Sequence, residues 1–167
     1  MNPPIDAASL TGLARTFIRL CKRIPDSLIA FVARFSIAAV FWKSGQTKVE
    51  GFVVDLIGGE FSLAWPRLSD SAVALFKDEY RLPLIAPEIA APMAAFAEHF
   101  FPALILLGLA TRLSALALLG MTAVIQLLVY PGAYPTHGVW AAVLLYLVAH
   151  GPGKASIDHW IAERHGL

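Results

Sequence analysis

The chain has 167 residues, of which 57% are hydrophobic and 15% charged, and its formal net charge is +1. So few charges cannot cover the surface of an ordinary soluble domain, where about a quarter of residues are charged, and the near-zero balance gives no footprint for nucleic acid. A single cysteine, Cys21, excludes an internal disulfide and dithiol chemistry within the chain.

Residues 1–9 read as a loose tail. From Leu10 the apolar residues Leu10, Leu13, Ala14, Phe17, Ile18 and Cys21 recur at helical spacing, with Arg15, Arg19, Lys22 and Arg23 on another face. No acid lies between Ala7 and Ile24. A basic amphipathic helix of this kind either lies on an anionic leaflet or forms a solvated juxtamembrane helix that sets topology. Pro25 ends it. The first apolar stretch, 28–44, has no small-residue cleavage site after it and reads as a retained anchor.

The second expected span is 89–109, interrupted by Glu98, His99 and Pro102, and the third is 113–130. Only Ala110, Thr111 and Arg112 separate them, which predicts a tight helical hairpin. Between His99 and Gly153 the one charged residue is Arg112. That void marks the region as lipid-dissolved, since a hydrocarbon core about 30 Å thick takes about 20 apolar residues per helix. A fourth span, 138–150, is short and borrows 134–137 or crosses a thinned bilayer.

Segment 46–88 exceeds a plain loop. Val49, Phe52, Val53, Leu56 and Ile57 form an i, i+3, i+4, i+7, i+8 stripe, and 71–80 precedes Pro83 and Pro87. Two short cap helices are expected. With four spans, the N-terminal helix, Arg112, Lys154 and Arg164 fall on one side, and the acid-rich 46–88 segment falls on the other. The positive-inside rule then places both termini in the cytoplasm. The expected fold is all-α: a transmembrane four-helix bundle with short extracytoplasmic cap helices. Its parts are a basic segment 1–27, a membrane domain 28–150 and a cytoplasmic tail 151–167.

Intramembrane charges are costly, about 3 kcal/mol each on insertion scales, so they are paired or functional. Arg34 in span one and Glu98 in span two are the expected pair, with Lys43 the competing partner. Glu98, placed near mid-bilayer, either handles a proton or anchors a polar head group, or else belongs to a structural ion pair. His99 and His137 would suit haem or a metal, but their spacing matches no metal motif, and hydrogen-bonded histidines at helix ends are the commoner case. His150 and His159 fall at the other face. Trp42, Tyr130, Tyr134, Trp140 and Trp160 read as an aromatic belt, and Gln126 as an interhelical hydrogen-bonding group. No phosphate loop, nucleophile–base arrangement or dinucleotide fingerprint is present.

Three stretches carry a family resemblance. Arg34-Phe35, with Phe41-Trp42-Lys43-Ser44-Gly45-Gln46-Thr47-Lys48 after it, resembles the first-span signature of the DoxX family. Glu98-His99-Phe100-Phe101-Pro102-Ala103-Leu104, followed by Gly108-Leu109-Ala110-Thr111-Arg112-Leu113-Ser114-Ala115, resembles its second. Gly151-Pro152-Gly153-Lys154-Ala155-Ser156-Ile157-Asp158 is similar to its closing motif. Segment 46–88 is longer than in short members.

The resemblance implies a small four-helix protein of a bacterial inner membrane. It links the chain to sulfur oxidation with quinone as acceptor and to membrane complexes of oxidative-stress defence. Carried over, it points to Arg34, Gly45, Lys48, Glu98, Arg112 and Asp158. Arg34, Gly45, Lys48, Glu98 and His99 become the candidate quinone site, with Glu98, Arg34 and His99 the candidate catalytic groups. Arg112 and Asp158 become a structural pair at the inner face. The leading expectation is a redox-associated, quinone-linked subunit served by a soluble or membrane redox partner, with a homo-oligomer open. The alternative is a non-enzymatic anchor that docks a partner through the cap. A small transporter ranks last, for want of inverted-repeat signs.

Overall fold

The computed structural model describes residues 7–55 and 58–166, with the side chains of 7–10 left aside. Helix α1 (Ala7–Cys21) precedes α2 (Asp26–Gln46). A hairpin follows, β1 (Val49–Asp55) and β2 (Glu60–Leu68), and then α3 (Asp70–Leu75), which runs on as a π-turn over Phe76–Tyr80. Helices α4 (Pro87–Leu107), α5 (Thr111–Val124, extended by a π-turn over Ile125–Val129), α6 (Tyr134–His150) and α7 (Ile157–His165) complete the order.

Three helices are long and apolar enough to cross a membrane: Asp26–Gln46, Pro87–Leu107 and Thr111–Val129. The expected spans fall on these helices, two residues or fewer from each end. The fourth, α6, has 17 residues and starts at Tyr134, so 134–137 are part of it. Helix α1 begins at Ala7, ahead of the expected Leu10; the small residues Ala7, Ala8 and Ser9 carry no periodic signal but continue the helix.

One stripe of each long helix faces inward. Ala30, Arg34, Ile37, Ala38, Phe41 and Gly45 are buried on α2, and Ala90, Ala91, Ala95, Glu98, Pro102 and Ile105 on α4. Small residues at these positions let the backbones approach, which is how helices pack where lipid is as apolar as leucine. Ile37, Ala38, Phe41, Ile105, Ala115, Leu118, Leu144 and Leu147 form the central cluster, fed by α2, α4, α5 and α6. Outward residues such as Phe31, Val32, Phe35, Leu113, Leu116 and Leu127 stay exposed.

The expected first cap helix is an antiparallel hairpin instead. Phe52 pairs with Leu63 and Val54 with Phe61, with an irregularity between Glu50 and Phe52. The β-branched Val49, Val53 and Val54 suit a pleated surface. Val49, Phe52 and Val53 keep helical spacing rather than strict alternation, because the irregularity between Glu50 and Phe52 shifts the register; Gly58 and Gly59 give the turn, and Leu56 and Ile57 lie outside the described residues. Helix α3 matches the expected helix over 71–80, capped by the Ser69 hydroxyl, which accepts from Ala72 N. Phe76 packs on Ala90 and Ala91, so this segment rests on the first half of α4.

At the opposite end the C-terminal segment closes the bundle. Asp158 accepts from the backbone N–H groups of Ala110 and Thr111 at 2.7 and 2.9 Å, while its own N–H donates to Gly108 O. The turn needs left-handed backbone at Gly108 and Ala110. The carboxylate therefore caps α5 and complements its dipole. The expected Arg112–Asp158 pair does not form. Arg112 Nε donates to Val148 O instead, because both Asp158 oxygens already serve the helix start. Lys154 N donates to Ser27 Oγ, which brings the start of α2, the α4–α5 turn and the tail to one end.

Replacing Asp158 by Ala removes an N-terminal cap from the hairpin turn. Thermal unfolding of the detergent-solubilised protein is expected to show a loss of about 1–2 kcal/mol, with Asp158→Asn in between.

Candidate functional site

Helices α2 and α4 run antiparallel, and the C-terminal end of α2 meets the middle of α4. Gly45 fixes this contact: a Cβ there would stand 2.8 Å from the His99 ring and 3.1 Å from Glu98 Cβ. Two residues past the end of α2, Lys48 turns back into the bundle.

Lys48 Nζ donates to Glu98 Oε2 at 2.7 Å, and the two side chains are 3% and 5% exposed. The same ammonium donates to Ser44 O and Ser44 Oγ at 3.2 and 3.1 Å, so all three of its hydrogens have acceptors. The Ser44 hydroxyl also bonds the Glu98 carboxylate. The expected Arg34–Glu98 pair is thus overturned, and Lys43, which is exposed, is not the partner either. The reason is axial position: Glu98 lies level with Gly45, about eleven residues and 16 Å along α2 from Arg34 at about 1.5 Å per residue.

Arg34 sits at the other end of the bundle, 2% exposed. One terminal nitrogen donates to Ala155 O at 2.6 Å, and Asp158 acts on its charge. Its Nε and Nη1 make no hydrogen bond, nor do the buried hydroxyls of Thr111 and Ser114. Gly108 makes room for it, since a Cβ there would stand 2.0 Å from Arg34 Nη1. Arg34 therefore belongs with Asp158 and the tail, away from Gly45, Lys48, Glu98 and His99.

Those four do come together, with Gln46 added. Gln46 Oε1 accepts from Val54 N at 2.8 Å, which orients the amide so that Nε2 faces His99 Nε2 at 2.8 Å. His99 Nδ1 lies 2.7 Å from Ala95 O, so Nδ1 carries the hydrogen and Nε2 accepts from Gln46. Both ring nitrogens are engaged in this neutral tautomer. Trp42 Nε1 donates to Val54 O, and the rings of Trp42 and Phe52 lie edge-on to His99 at 5.0 and 6.2 Å.

Beside His99 opens a groove of about 470 Å³, lined by Trp42, Val49, Phe52, Pro66, Ala95, Phe96, His99 and Phe100. Its walls are almost wholly apolar, and the hairpin forms one side. Phe96 and Phe100 stack at 5.1 Å on the exposed face of α4. Sequence reasoning had His99 and Trp42 but missed Gln46 and the hairpin wall, because strand pairing alone brings Phe52 and Val54 over α2.

A second polar string lies nearby. Tyr130 donates to Glu79, Tyr130 and Tyr80 are hydrogen-bonded, and burial, with the charge of Glu98 adding, holds the Tyr80 phenol above its ordinary range. Gln126, at the π-turn of α5, accepts from His137 Nδ1 at 2.7 Å and donates to Pro131 O, so it does bond between helices.

Removing one member of the Lys48–Glu98 pair leaves a buried charge alone. Lys48→Met or Glu98→Gln is expected to cost about 3–5 kcal/mol, and the double variant much less than the sum, read by a double-mutant cycle on unfolding in detergent.

The family model described as DoxX matches residues 29–131 of the chain. No curated protein and no solved structure gives a significant match.

Proposed function

The chain belongs to the DoxX family, and we propose that it is a redox-associated membrane subunit that holds a quinone ring in the groove beside His99. The observation that carries this reading is the groove itself: an aromatic-walled slot opening on the exposed Phe96 and Phe100 of a membrane-crossing helix, with one hydrogen-bonded histidine at its inner edge. A quinone is a flat ring with two carbonyl oxygens and an apolar tail. Trp42, Phe52 and Phe100 suit the ring, and the outer face of α4 suits the tail.

The polar contacts follow from the tautomer. Gln46 Nε2 has a second hydrogen for a carbonyl oxygen. His99 Nε2 is the acceptor that a quinol hydroxyl would take over from Gln46. Ala95 O holds the far side of the imidazole and keeps that nitrogen unprotonated. Lys48 and Glu98 stand behind His99 as a closed pair that sets its position, and Gly45 gives it room. A quinone supplies two-electron acceptance when bound. With Cys21 as its one cysteine the chain has no dithiol of its own, so the electron supply falls to a bound cofactor or to a partner protein.

Topology joins the proposal. α6 completes four crossings of a bacterial inner membrane, and both termini lie on the cytoplasmic side. The support is the gathering of α2's start, Arg112 and Lys154 at one end of the bundle, with the hairpin at the other.

A second reading, an anchor that docks a soluble partner, rests on the hairpin. Phe61, Leu63 and Trp65 alternate on one face of β2 and are 63%, 81% and 86% exposed. An apolar stripe of that kind on the outer cap fits a protein contact.

Mass spectrometry of small molecules extracted from the protein in mild detergent separates the two. The quinone reading expects near-stoichiometric quinone in the parent. In Phe100→Ala, affinity falls up to about tenfold, as loss of one aromatic contact of about 0.5–1.5 kcal/mol implies. No quinone in the parent, together with a co-purifying protein lost in Leu63→Ser/Trp65→Ser, would establish the anchor instead.

A further inference from the structure

Helix α1 contributes nothing to the bundle core. Every residue from Thr11 to Ile24 is exposed, including Leu13 at 66%, Phe17 at 68%, Ile18 at 52% and Leu20 at 55%. At about 100° per residue, Leu20, Leu13, Phe17, Cys21, Ala14 and Ile18 fill one arc of about 160°. Lys22, Arg15 and Arg19 follow along one border of that arc, and Gly12 and Thr16 occupy the remainder. The apolar side and the cationic side are therefore separated around the helix, and nothing else in the described chain covers either.

Its tether decides where that face points. Residues 22–25 alone join α1 to α2, and three backbone bonds (Lys22 N to Ile18 O, Arg23 N to Leu20 O, Ile24 N to Cys21 O) tighten the link. At most about 3.5 Å per residue separates the two helices, so the last residue of α1 stays within about 18 Å of the first residue of α2. The same end carries Arg112 and Lys154, both exposed. The acids facing this end are Asp26, Asp158 and Glu163. Against these three acids stand Arg15, Arg19, Lys22, Arg23, Arg112, Lys154 and Arg164, so this end keeps a net positive charge.

We propose that α1 lies in the plane of the membrane on the side of the chain termini, its apolar arc among the acyl chains and its Arg15, Arg19 and Lys22 border on the phosphates of anionic phospholipid. Charge complementarity selects the occupant: an apolar arc alone would accept any leaflet, whereas three cations along its border favour an acidic one, each by about fivefold near such a surface.

The test uses the full chain, one copy per nanodisc, in phosphatidylcholine alone or mixed equally with phosphatidylglycerol. In a Cys21→Ser background, Phe17→Cys reports the apolar arc and Thr16→Cys the polar remainder about 100° round the helix, each read by its rate of reaction with a water-soluble maleimide. The expected result is protection of position 17 by about tenfold or more relative to position 16 in the acidic discs. Arg15→Gln/Arg19→Gln/Lys22→Gln should lose that protection, with unchanged thermal unfolding of the bundle. Equal reactivity of the two positions in acidic discs would overturn the proposal and leave α1 a solvated helix. Equal protection in both lipid mixtures would overturn the selection for anionic lipid, and protection only in discs carrying two copies would assign the face to a second chain.

Discussion

Burying an ammonium and a carboxylate together constrains the outer end of this protein more than any other interaction in it. Lys48 and Glu98 meet at 2.7 Å, almost sealed from solvent. Neither charge is tolerable there without the other, and the desolvation of both is offset only because Ser44 takes the remaining hydrogens of the ammonium. Since Lys48 follows α2 and opens the hairpin, the pair ties three pieces of chain to one level of α4. Register between α2 and α4 follows, and with it the contact of Gly45 on His99.

The groove is a consequence of that register. Once His99 stands against Gly45, Gln46 bridges it to Val54, and the hairpin lies across the outer end of α2 with Phe52 and Trp42 beside the imidazole. The His99 tautomer is set by Ala95 O on one side and Gln46 on the other. Pro102 adds to this region from below: it has no N–H to give the carbonyl of Glu98, four residues earlier, so the helix is weakest in hydrogen bonding where the buried ion pair is strongest.

The inner end is organised by a different carboxylate. Asp158 reaches from the tail to the first amides of α5, and Arg34 donates to Ala155 O in the same tail. Arg34, read as the intramembrane partner of Glu98, and Asp158, read as the partner of Arg112, are thus both used to fasten the C-terminal segment. Arg34 is held by one hydrogen bond and by the field of Asp158, and the glycine at 108 is what admits its guanidinium. The bundle therefore has a polar clasp at each end and an apolar cluster between them.

Helix positions, the tight turn at 110–112, the amphipathic start and the family were legible from the residues, because a lipid environment imposes length, charge depletion and cationic flanks locally along the chain. Of the residues that meet at Gly45, Glu98 and His99 stood out as polar groups inside a span, while Gly45 and Lys48 came from the family resemblance. What the sequence could not decide was which charge faces which. Arg34, Lys43 and Lys48 are all within reach of a carboxylate in one dimension, and only the antiparallel offset of α2 against α4 puts Lys48 level with Glu98 and Arg34 at the far end. The hairpin was hidden for a related reason: Val49, Phe52 and Val53 keep helical spacing because the irregularity between Glu50 and Phe52 breaks the strand's alternation, and pairing with β2 settles the choice. Local chemistry fixed what must be buried or paired; the pairing itself is a property of packed helices and strands.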